Sequence, residues 1–305
     1  MNHPSTLSIH KAKQPCHQIF EIKWATGQVE RVVPSEQGTE EMLTVAFGGD
    51  WAPTGAMASS SKQEPENLYT ELEAYLGETD FNLVNLEASL CVNGPAITKD
   101  GPALCIDSEA LSSLKQLRCN VACLANNHIM DFGTIGLQQT LKELERLGIQ
   151  HVGVIDSVSN TARELIVEKG SLRFAIVNVA EGEEGKAKAN HAGAVPLLVD
   201  DVCQQVTQLA QLTNGVLVVI HAGREYLPVP APYIQRAYRK IAEAGASIIV
   251  AHHPHVSQGV EVWNGVPIFY SLGNLLMSGG PYVNLYRSMG YLVVANLEKK
   301  RAFVC

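Results

Sequence analysis

The chain has 305 residues, of which 46% are hydrophobic and 18% are charged, and its formal net charge is −8. This composition is typical of a globular protein with a sizeable core, and it excludes a disordered or fibrous chain. The acidic balance argues against a nucleic-acid partner or an anionic membrane surface, because either would favour a basic patch.

The N-terminal segment and the cysteines predict a cytoplasmic protein. Residues 1–20 are polar and lack the apolar core of a signal peptide, and no segment approaches the roughly 18 apolar residues of a membrane helix. The seven cysteines are odd in number and form no CxxC pair, which argues against a disulfide framework. Five of them have apolar neighbours and are predicted to be core thiols: Cys91, Cys105, Cys119, Cys123 and Cys203.

The first 41 residues predict an appendage to the main domain. Residues 1–17 are typical of a flexible arm, and residues 34–41 of a polar linker. Between them, residues 19–24 and 29–33 predict a β-hairpin around a glycine turn. We therefore expect an N-terminal arm and hairpin over residues 1–41 and one larger domain over residues 42–305.

From residue 42 onward, apolar runs of strand length alternate with amphipathic segments of helix length. Strands are predicted over residues 42–47, 81–87, 120–125, 149–154, 216–220, 247–251 and 290–296, with a hairpin over 165–179. Helices are predicted over residues 64–76, 108–117, 135–147 and 200–212, and another lies between the strands at 216 and 247. The alternation predicts an α/β fold with parallel strands. The polar loop at 181–191 is a candidate lid.

Polar residues that can bind metal ions follow several of the predicted strands. They are Asp50, Glu87, Asn127 with His128, His221, and His253 with His255. The carboxyl ends of parallel strands form one edge of a sheet, where ligands bind, so these side chains should gather there. Oxygen and imidazole ligands together suit Mn, Fe, Zn or Co. The sequence therefore predicts a site for one or two divalent ions.

Six short motifs occur in a characteristic order. They are Gly49-Asp50, Asn85-Leu86-Glu87, Leu124–His128 with Asp131 and Gly133, His221–Tyr226, His252–His255 and Tyr270–Asn274. Each motif alone is weak, but in this order they resemble the calcineurin-like metallophosphoesterase superfamily. The resemblance is closer to its bacterial capsule-synthesis branch, the CapA-like or poly-γ-glutamate synthesis family, and it covers about residues 42–277.

The resemblance implies a four-layer α/β/β/α sandwich with mixed sheets, here extended by the N-terminal hairpin. It implies that the metal ligands are Asp50, Glu87, Asn127, His221, His253 and His255, with Glu87 in the bridging position. It also implies that His128 donates a proton to the leaving group, that Asp131 holds its ring, and that Arg224 and Glu225 line the substrate side. Phosphoesterases carry Asp-x-His at the first motif, whereas this chain has Asp50-Trp51-Ala52 and so lacks one ligand.

The resemblance implies a metal-dependent hydrolase in which metal-activated water attacks a phosphoester or a γ-glutamyl-type amide. The substrate would be a small or polymeric anion. One alternative is a non-hydrolytic accessory protein of capsule, poly-γ-glutamate or peptide biosynthesis that binds an anion in the cleft. Another is a ligase or transferase partner, and the oligomeric state is left open.

Several residues have a structural interpretation beside the functional one. Asp50 could serve only a turn, Glu87 could be a helix cap or a salt-bridge partner, and Arg224 could pair with Glu225. Asn126 and Asn127 are alternatives for the same role. His252 could belong to the core or to the site.

Overall fold

The computed structural model describes residues 19–23, 28–32, 41–54, 69–156, 163–182, 185–187, 191–277, 290–298 and 301–304. The predicted arm, nearly all of the predicted linker, and parts of the predicted 64–76 helix and 181–191 loop lie outside these residues. The predicted N-terminal hairpin is confirmed, because residues 19–23 and 28–32 pair as antiparallel strands. The division of the chain at residue 41 stays a prediction.

The described elements alternate along the chain, as the apolar periodicity predicts. The strands are β1 Ile19–Lys23, β2 Gln28–Val32, β3 Leu43–Ala52, β4 Phe81–Leu86, β5 Ser89–Leu90, β6 Cys105–Ile106, β7 Val121–Cys123, β8 Gln150–Val152, β9 Val154–Ile155, β10 Glu164–Lys169, β11 Leu172–Ala180, β12 Gly193–Ala194, β13 Gly215–His221, β14 Ile248–His252, β15 Val260–Trp263, β16 Val266–Phe269, β17 Asn274–Met277, β18 Val293–Glu298 and β19 Arg301–Val304. The helices are α1 Thr70–Leu76, α2 Ser108–Ser112, α3 Gly133–Leu147, α4 Val199–Leu212 and α5 Pro232–Glu243, with a 3₁₀-helix at Ser113–Lys115.

Two mixed sheets form the centre of the fold. The first sheet has the order β19-β18-β3-β4-β7-β8, and β17 pairs in parallel with the carboxyl-terminal part of β3. The second sheet has the order β10-β11-β13-β14-β16-β15, in which the four inner strands are parallel and the two edge strands are antiparallel to their neighbours. Parallel strands in each sheet therefore end on the same side, where ligands bind in such sheets.

Alternation along the strands separates three apolar layers. In β4, Leu83 packs between the two sheets, while the next residue, Val84, packs against helices α1 to α3. In β13, Val219 packs between the sheets, while Val218 packs against α4 and α5. Successive side chains of a strand point to opposite faces, so both faces of both sheets are covered. The four-layer α/β/β/α sandwich is thus confirmed.

The first core strand is longer than predicted, and this changes the position of Asp50. β3 continues through Gly48 and Gly49 to Ala52, with a register shift between Phe47 and Asp50, so Asp50 lies inside the strand rather than after it. A Cβ atom on Gly49 would lie 2.2 Å from the carbonyl oxygen of Gly273. The glycines thus let a neighbouring segment approach β3 closely, where side chains would normally prevent it.

Other element boundaries also differ from the prediction. The predicted strand over 149–154 is divided into β8 and β9 at Gly153, which has a φ of +99°. There, a Cβ would lie 2.0 Å from Oδ1 of Asn178, and that oxygen accepts a hydrogen bond from the backbone N–H of Ala125 at 2.8 Å. The predicted helix over 108–117 consists of α2 and the following 3₁₀-helix, and the edge strand β15 was not predicted.

The expectation of five core thiols is wrong for two of the cysteines, because Cys91 and Cys105 form a disulfide. Parallel pairing of β5 with β6 places Ser89 opposite Cys105, so the two cysteines meet although they are 14 residues apart. Cys119 and Cys123 are buried free thiols, as predicted, and burial raises the pKa of Cys119 to about 12.

Cys203, the remaining cysteine of that prediction, is a free thiol that is partly exposed. Among the described residues, no helix combines the length and the apolar character needed to cross a bilayer.

Candidate functional site

The six predicted metal ligands lie together at the carboxyl ends of the strands. β3 carries Asp50, β4 is followed directly by Glu87, and β13 ends at His221. β14 ends one residue before His253. Because the two sheets face each other across a shared apolar layer, their strand ends open onto one cleft.

Glu87 is the centre of this cluster, and its carboxylate is buried without a hydrogen-bond donor. Both side-chain oxygens lack a hydrogen-bond partner in the described protein. Oε1 lies 3.5 Å from Nε2 of His221, 3.7 Å from Nε2 of His255 and 4.0 Å from Nε2 of His128. Burial, and after it the charge of Asp50, raises the pKa of Glu87 well above its ordinary value. Backbone N–H groups of a helix cap would satisfy these oxygens, so the cap interpretation does not hold. The salt-bridge interpretation is met only by histidines, of which His255 is the one whose pKa is raised.

Asp50 is also buried, but it is surrounded by donors. Oδ1 accepts a hydrogen bond from Nδ2 of Asn85 at 2.7 Å and lies 3.3 Å from Nδ1 of His252, and Oδ2 lies 3.2 Å from Nδ1 of His255. Burial alone would raise the pKa of Asp50, but the hydrogen bonds from the two histidines hold it well below its ordinary value. Burial would lower the pKa of His255, but the charges of Glu87 and Asp50 raise it to about 10. Asp50 is thus a charged carboxylate, and a positive charge beside it is strongly favoured.

His221 links the strand ends of the two sheets. Its Nε2 lies 2.9 Å from Oδ1 of Asn127 and 3.1 Å from Nδ1 of His253, and its Nδ1 lies 3.2 Å from Nδ2 of Asn85. Burial, together with the nearby His253, holds the pKa of His221 well below its ordinary value. The imidazole is therefore neutral, which is the form that binds metal ions.

The two asparagines after β7 have different roles. Oδ1 of Asn126 accepts hydrogen bonds from the backbone N–H groups of His128 at 3.1 Å and Ile129 at 2.9 Å, so Asn126 shapes the turn. Asn127 directs its side-chain oxygen to His221. Asn127 is therefore the residue of this pair that can bind a metal ion.

His128 is held beside the centre by Asp131 and by a residue that the sequence did not indicate. Oδ2 of Asp131 lies 2.7 Å from Nδ1 of His128. The ammonium of Lys99 lies 2.6 Å from Oδ1 of Asp131, 3.1 Å from Nδ1 of His128 and 2.9 Å from the carbonyl oxygen of Asn127. With Nδ1 donating to Asp131, Nε2 of His128 is the nitrogen that faces Glu87.

Arg224 and Glu225 lie at the exposed mouth of the cleft. They are part of the loop after β13, and both side chains are exposed. Arg224 lines the cleft together with Asn127, Glu181 and His253. The two charged residues form no ion pair with each other among the described contacts, so the simple pairing considered for Arg224 does not occur.

The donors fall into overlapping sets that could hold a divalent ion. One set is Asp50, Glu87 and His255, and another is Glu87, His221 and His253, so that Glu87 is shared. A buried carboxylate without donors, surrounded by imidazoles and a second carboxylate, fits a divalent cation better than it fits an empty core. Ala52, which occupies the position of the missing histidine, is fully buried and offers no donor.

Four residues of the site were missed, or were left without a definite role, in the prediction. Asn85 orients Asp50, and Asn274 places its Oδ1 3.0 Å from Nδ1 of His255. His252 contacts Asp50, and Lys99 contacts Asp131. The strand period could have identified Asn85, since it lies two residues before Glu87 and so faces the same side. Lys99 lies in an irregular loop, where no periodic signal exists.

Comparison with known proteins agrees with the motif order. Residues 44–278 match the family model of the bacterial capsule synthesis protein PGA_cap. The chain is 28% identical over 270 residues to the PGA biosynthesis protein CapA of Bacillus subtilis, with 86% of this chain and 70% of that protein covered. It is 26% identical over 268 residues to the capsule biosynthesis protein CapA of Bacillus anthracis, with 83% and 64% covered. A probable polyglutamine synthesis accessory protein of Mycobacterium tuberculosis is 28% identical over 211 residues, with 65% and 56% covered.

Two solved structures share the fold at low sequence identity. A phosphatase from Mycoplasma pneumoniae has a TM-score of 0.53 at 12% identity, with 87% of this chain and 92% of that chain covered. A protein from Thermus thermophilus has a TM-score of 0.52 at 14% identity, with 85% and 96% covered. The family match extends from β3 to the end of β17 and contains the whole cluster around Glu87. This chain therefore belongs to the PGA_cap family of bacterial capsule synthesis proteins.

Proposed function

We propose that this protein is a metal-dependent hydrolase that acts on an anionic substrate at the cluster around Glu87. The observation that carries the proposal is the Glu87 carboxylate, which is fully buried and has no donor on either oxygen. Burial without a donor disfavours the ionised form of this carboxylate, and a bound cation would stabilise that form. Divalent ions bound here would polarise the substrate and lower the pKa of a water molecule, so that a nucleophile forms at neutral pH.

In this proposal His128 supplies the proton for the leaving group. Its Nδ1 is held by Asp131, so its Nε2 is directed to the centre, 4.0 Å from Oε1 of Glu87. Lys99 holds Asp131 in turn, and thereby fixes the orientation of the imidazole ring. A histidine needs such an orienting partner to present one nitrogen to a substrate.

Arg224 is the proposed contact for the negative charge of the substrate. It is exposed at the mouth of the cleft, and its guanidinium can bind a phosphate or a carboxylate through two parallel hydrogen bonds. A phosphoester and a γ-glutamyl-type amide both carry such a group. The names of the Bacillus relatives, which refer to PGA and capsule biosynthesis, favour a poly-γ-glutamate-type substrate.

The second candidate is an accessory protein that binds an anionic polymer without cleaving it. Two observations favour it: the name of the Mycobacterium tuberculosis relative, and Ala52, which offers no ligand where phosphoesterases have histidine. Such a protein would retain the cleft and hold the polymer while another protein acts on it. The chain spans 70%, 64% and 56% of the lengths of the three relatives, so the functions of those whole proteins are proposals here.

The test is metal content followed by turnover. Wild-type protein, purified without added metal and then supplied with Mn²⁺ or Zn²⁺, should hold one or two ions per chain. His221→Ala and His253→Ala should lose this metal, whereas His151→Ala should not, because His151 lies in β8 outside the cluster. Full occupancy in the first two variants would contradict the site.

Turnover distinguishes the two candidates. The loaded wild type is assayed with a phosphodiester, a phosphomonoester and a γ-glutamyl anilide, and its retention of poly-γ-glutamate is measured separately. Hydrolysis that is lost in the His221 variant supports the hydrolase. Retention of intact polymer without hydrolysis of any substrate supports the accessory protein instead.

The cytoplasmic location stays a prediction, and the Cys91–Cys105 disulfide counts against it. Disulfides persist in oxidising compartments and are rare in a reducing cytoplasm. We propose that the domain works where this bond stays oxidised. Thiol titration of protein taken from its native compartment tests this, since three free thiols are expected from the described cysteines if the bond is intact.

A further inference from the structure

The two donor sets that share Glu87 each have an amide oxygen beside them. Oδ1 of Asn127 lies 2.9 Å from Nε2 of His221 in one set, and Oδ1 of Asn274 lies 3.0 Å from Nδ1 of His255 in the other. The carboxylates and imidazoles of both sets are buried, so neither set includes a side chain from the exposed mouth of the cleft.

Glu225 is placed where it can supply a further ligand from the mouth of the cleft. A carboxylate oxygen of Glu225 and a ring nitrogen of each of His253 and His255 lie within 4.8 Å of one another. His253 belongs to one of the two sets and His255 to the other, so Glu225 lies beside both. The carboxylate is exposed, whereas the histidines are buried, so it would close the centre towards solvent.

The loop that carries Glu225 is fixed on both sides. The backbone N–H of Gly223 donates to Oε2 of Glu181 at 2.9 Å, and that of Tyr226 donates to the carbonyl oxygen of Pro254 at 2.8 Å. The second bond ties the loop to the turn between His253 and His255. The backbone of Glu225 is therefore held beside this turn.

The backbone on both sides of this contact is strained. Tyr226, His253 and His255 have φ values of +63°, +97° and +55°, and each is a non-glycine residue. Positive φ is unfavourable for a bulky residue, and such residues cluster at functional sites. Three of the five described non-glycine residues with positive φ thus lie at this one contact.

Glu225 also adds a third carboxylate to a group of acidic side chains. Asp50 and Glu87 lie beside the same buried histidines, and both are fully buried. Glu87 has no hydrogen-bond partner on either oxygen. Three carboxylates around buried histidines are the expected surroundings of a cation.

We infer that Glu225 is a further metal ligand of this centre, bound beside His253 and His255. This inference rests on the proposed function, since it assumes that the centre binds divalent ions. It adds to the centre a carboxylate from the loop after β13, in a chain where Ala52 provides no imidazole. The rim residue then belongs to the metal centre rather than to the substrate side alone.

The experiment uses Mn²⁺ alone as the probe and compares three full-length proteins. They are the wild type, Glu225→Gln, which keeps the shape but loses the charge, and Glu78→Gln, which changes an exposed glutamate after α1. Equilibrium dialysis gives the ions bound per chain and their dissociation constants, and the EPR spectrum of bound Mn²⁺ reports its surroundings. Melting in EDTA checks that the variants fold as the wild type does.

We expect E225Q to bind one of the wild-type ions at least about tenfold more weakly, since losing an outer partner of a ligand already has that effect. E78Q should match the wild type in every readout. If E225Q binds all ions as tightly as the wild type, with an unchanged EPR spectrum, the inference is wrong while the proposed hydrolase stands. If the wild type takes up no Mn²⁺, the proposed function fails, and the inference fails with it.

Discussion

Lys99 offers a direct test of how the loop after β5 is held against the site. Its ammonium lies 2.6 Å from Oδ1 of Asp131, and the two side chains are 4% and 0% exposed. Lys99→Met keeps the length of the side chain but removes the charge, so Asp131 stays buried without its ion-pair partner. Removing one partner of a buried pair costs about 3–5 kcal/mol, and we expect a loss of this size in the free energy of unfolding.

A second lysine–aspartate pair provides the matched control. Lys169 lies 2.8 Å from Oδ2 of Asp80, but these side chains are 45% and 26% exposed. Exposed pairs contribute about 0–1 kcal/mol, so Lys169→Met should be nearly neutral. Urea unfolding followed by circular dichroism measures all variants. Lys99→Met combined with Asp131→Asn should be more stable than Lys99→Met alone, because the second change removes the buried charge that Lys99 compensated. Equal and small losses in both single lysine variants would refute this reasoning.

Two further predictions concern the framework of the site. Cys91→Ser, or reduction of the Cys91–Cys105 bond, should lower the free energy of unfolding by about 3 kcal/mol, since the bond closes a loop with a sequence separation of 14. Unfolding curves that do not change when dithiothreitol is added would contradict this prediction. Gly49→Ala should lower the free energy of unfolding by about 1–3 kcal/mol and reduce metal uptake, because the new Cβ would lie 2.2 Å from the carbonyl oxygen of Gly273. Gly94→Ala is its control, since a Cβ there meets no atom within 4 Å, and equal stability of the two variants would show that β3 accommodates the methyl group.

Local patterns were sufficient to predict the framework of the fold. Periodicity predicted strand β13 and the amphipathic helices α3 and α4, and the capping residue Gly148 predicted the end of α3. Such signals are local, because a strand or a helix repeats every two or 3.6 residues and each period is visible in the sequence itself.

Predictions failed where distant segments meet. The disulfide depends on the pairing of β5 with β6, which brings Cys91 to Cys105 across an irregular loop. Asp50 lies within β3 because glycines allow a close approach to Gly273, a contact between residues far apart in the chain. Lys99 reaches Asp131 from the same irregular loop. No periodic pattern encodes any of these contacts.

By itself, the sequence determined which residues could form a metal centre, since chemistry and strand position are both local properties. Asp50, Glu87 and His221 were identified in this way before their distances were known. Only the tertiary structure decided that Asn127 rather than Asn126 faces the centre, and that Glu225 approaches His253 and His255. The reason is that these choices depend on how turns from separate strands orient their side chains, and the two sheets must be packed together before such turns can meet.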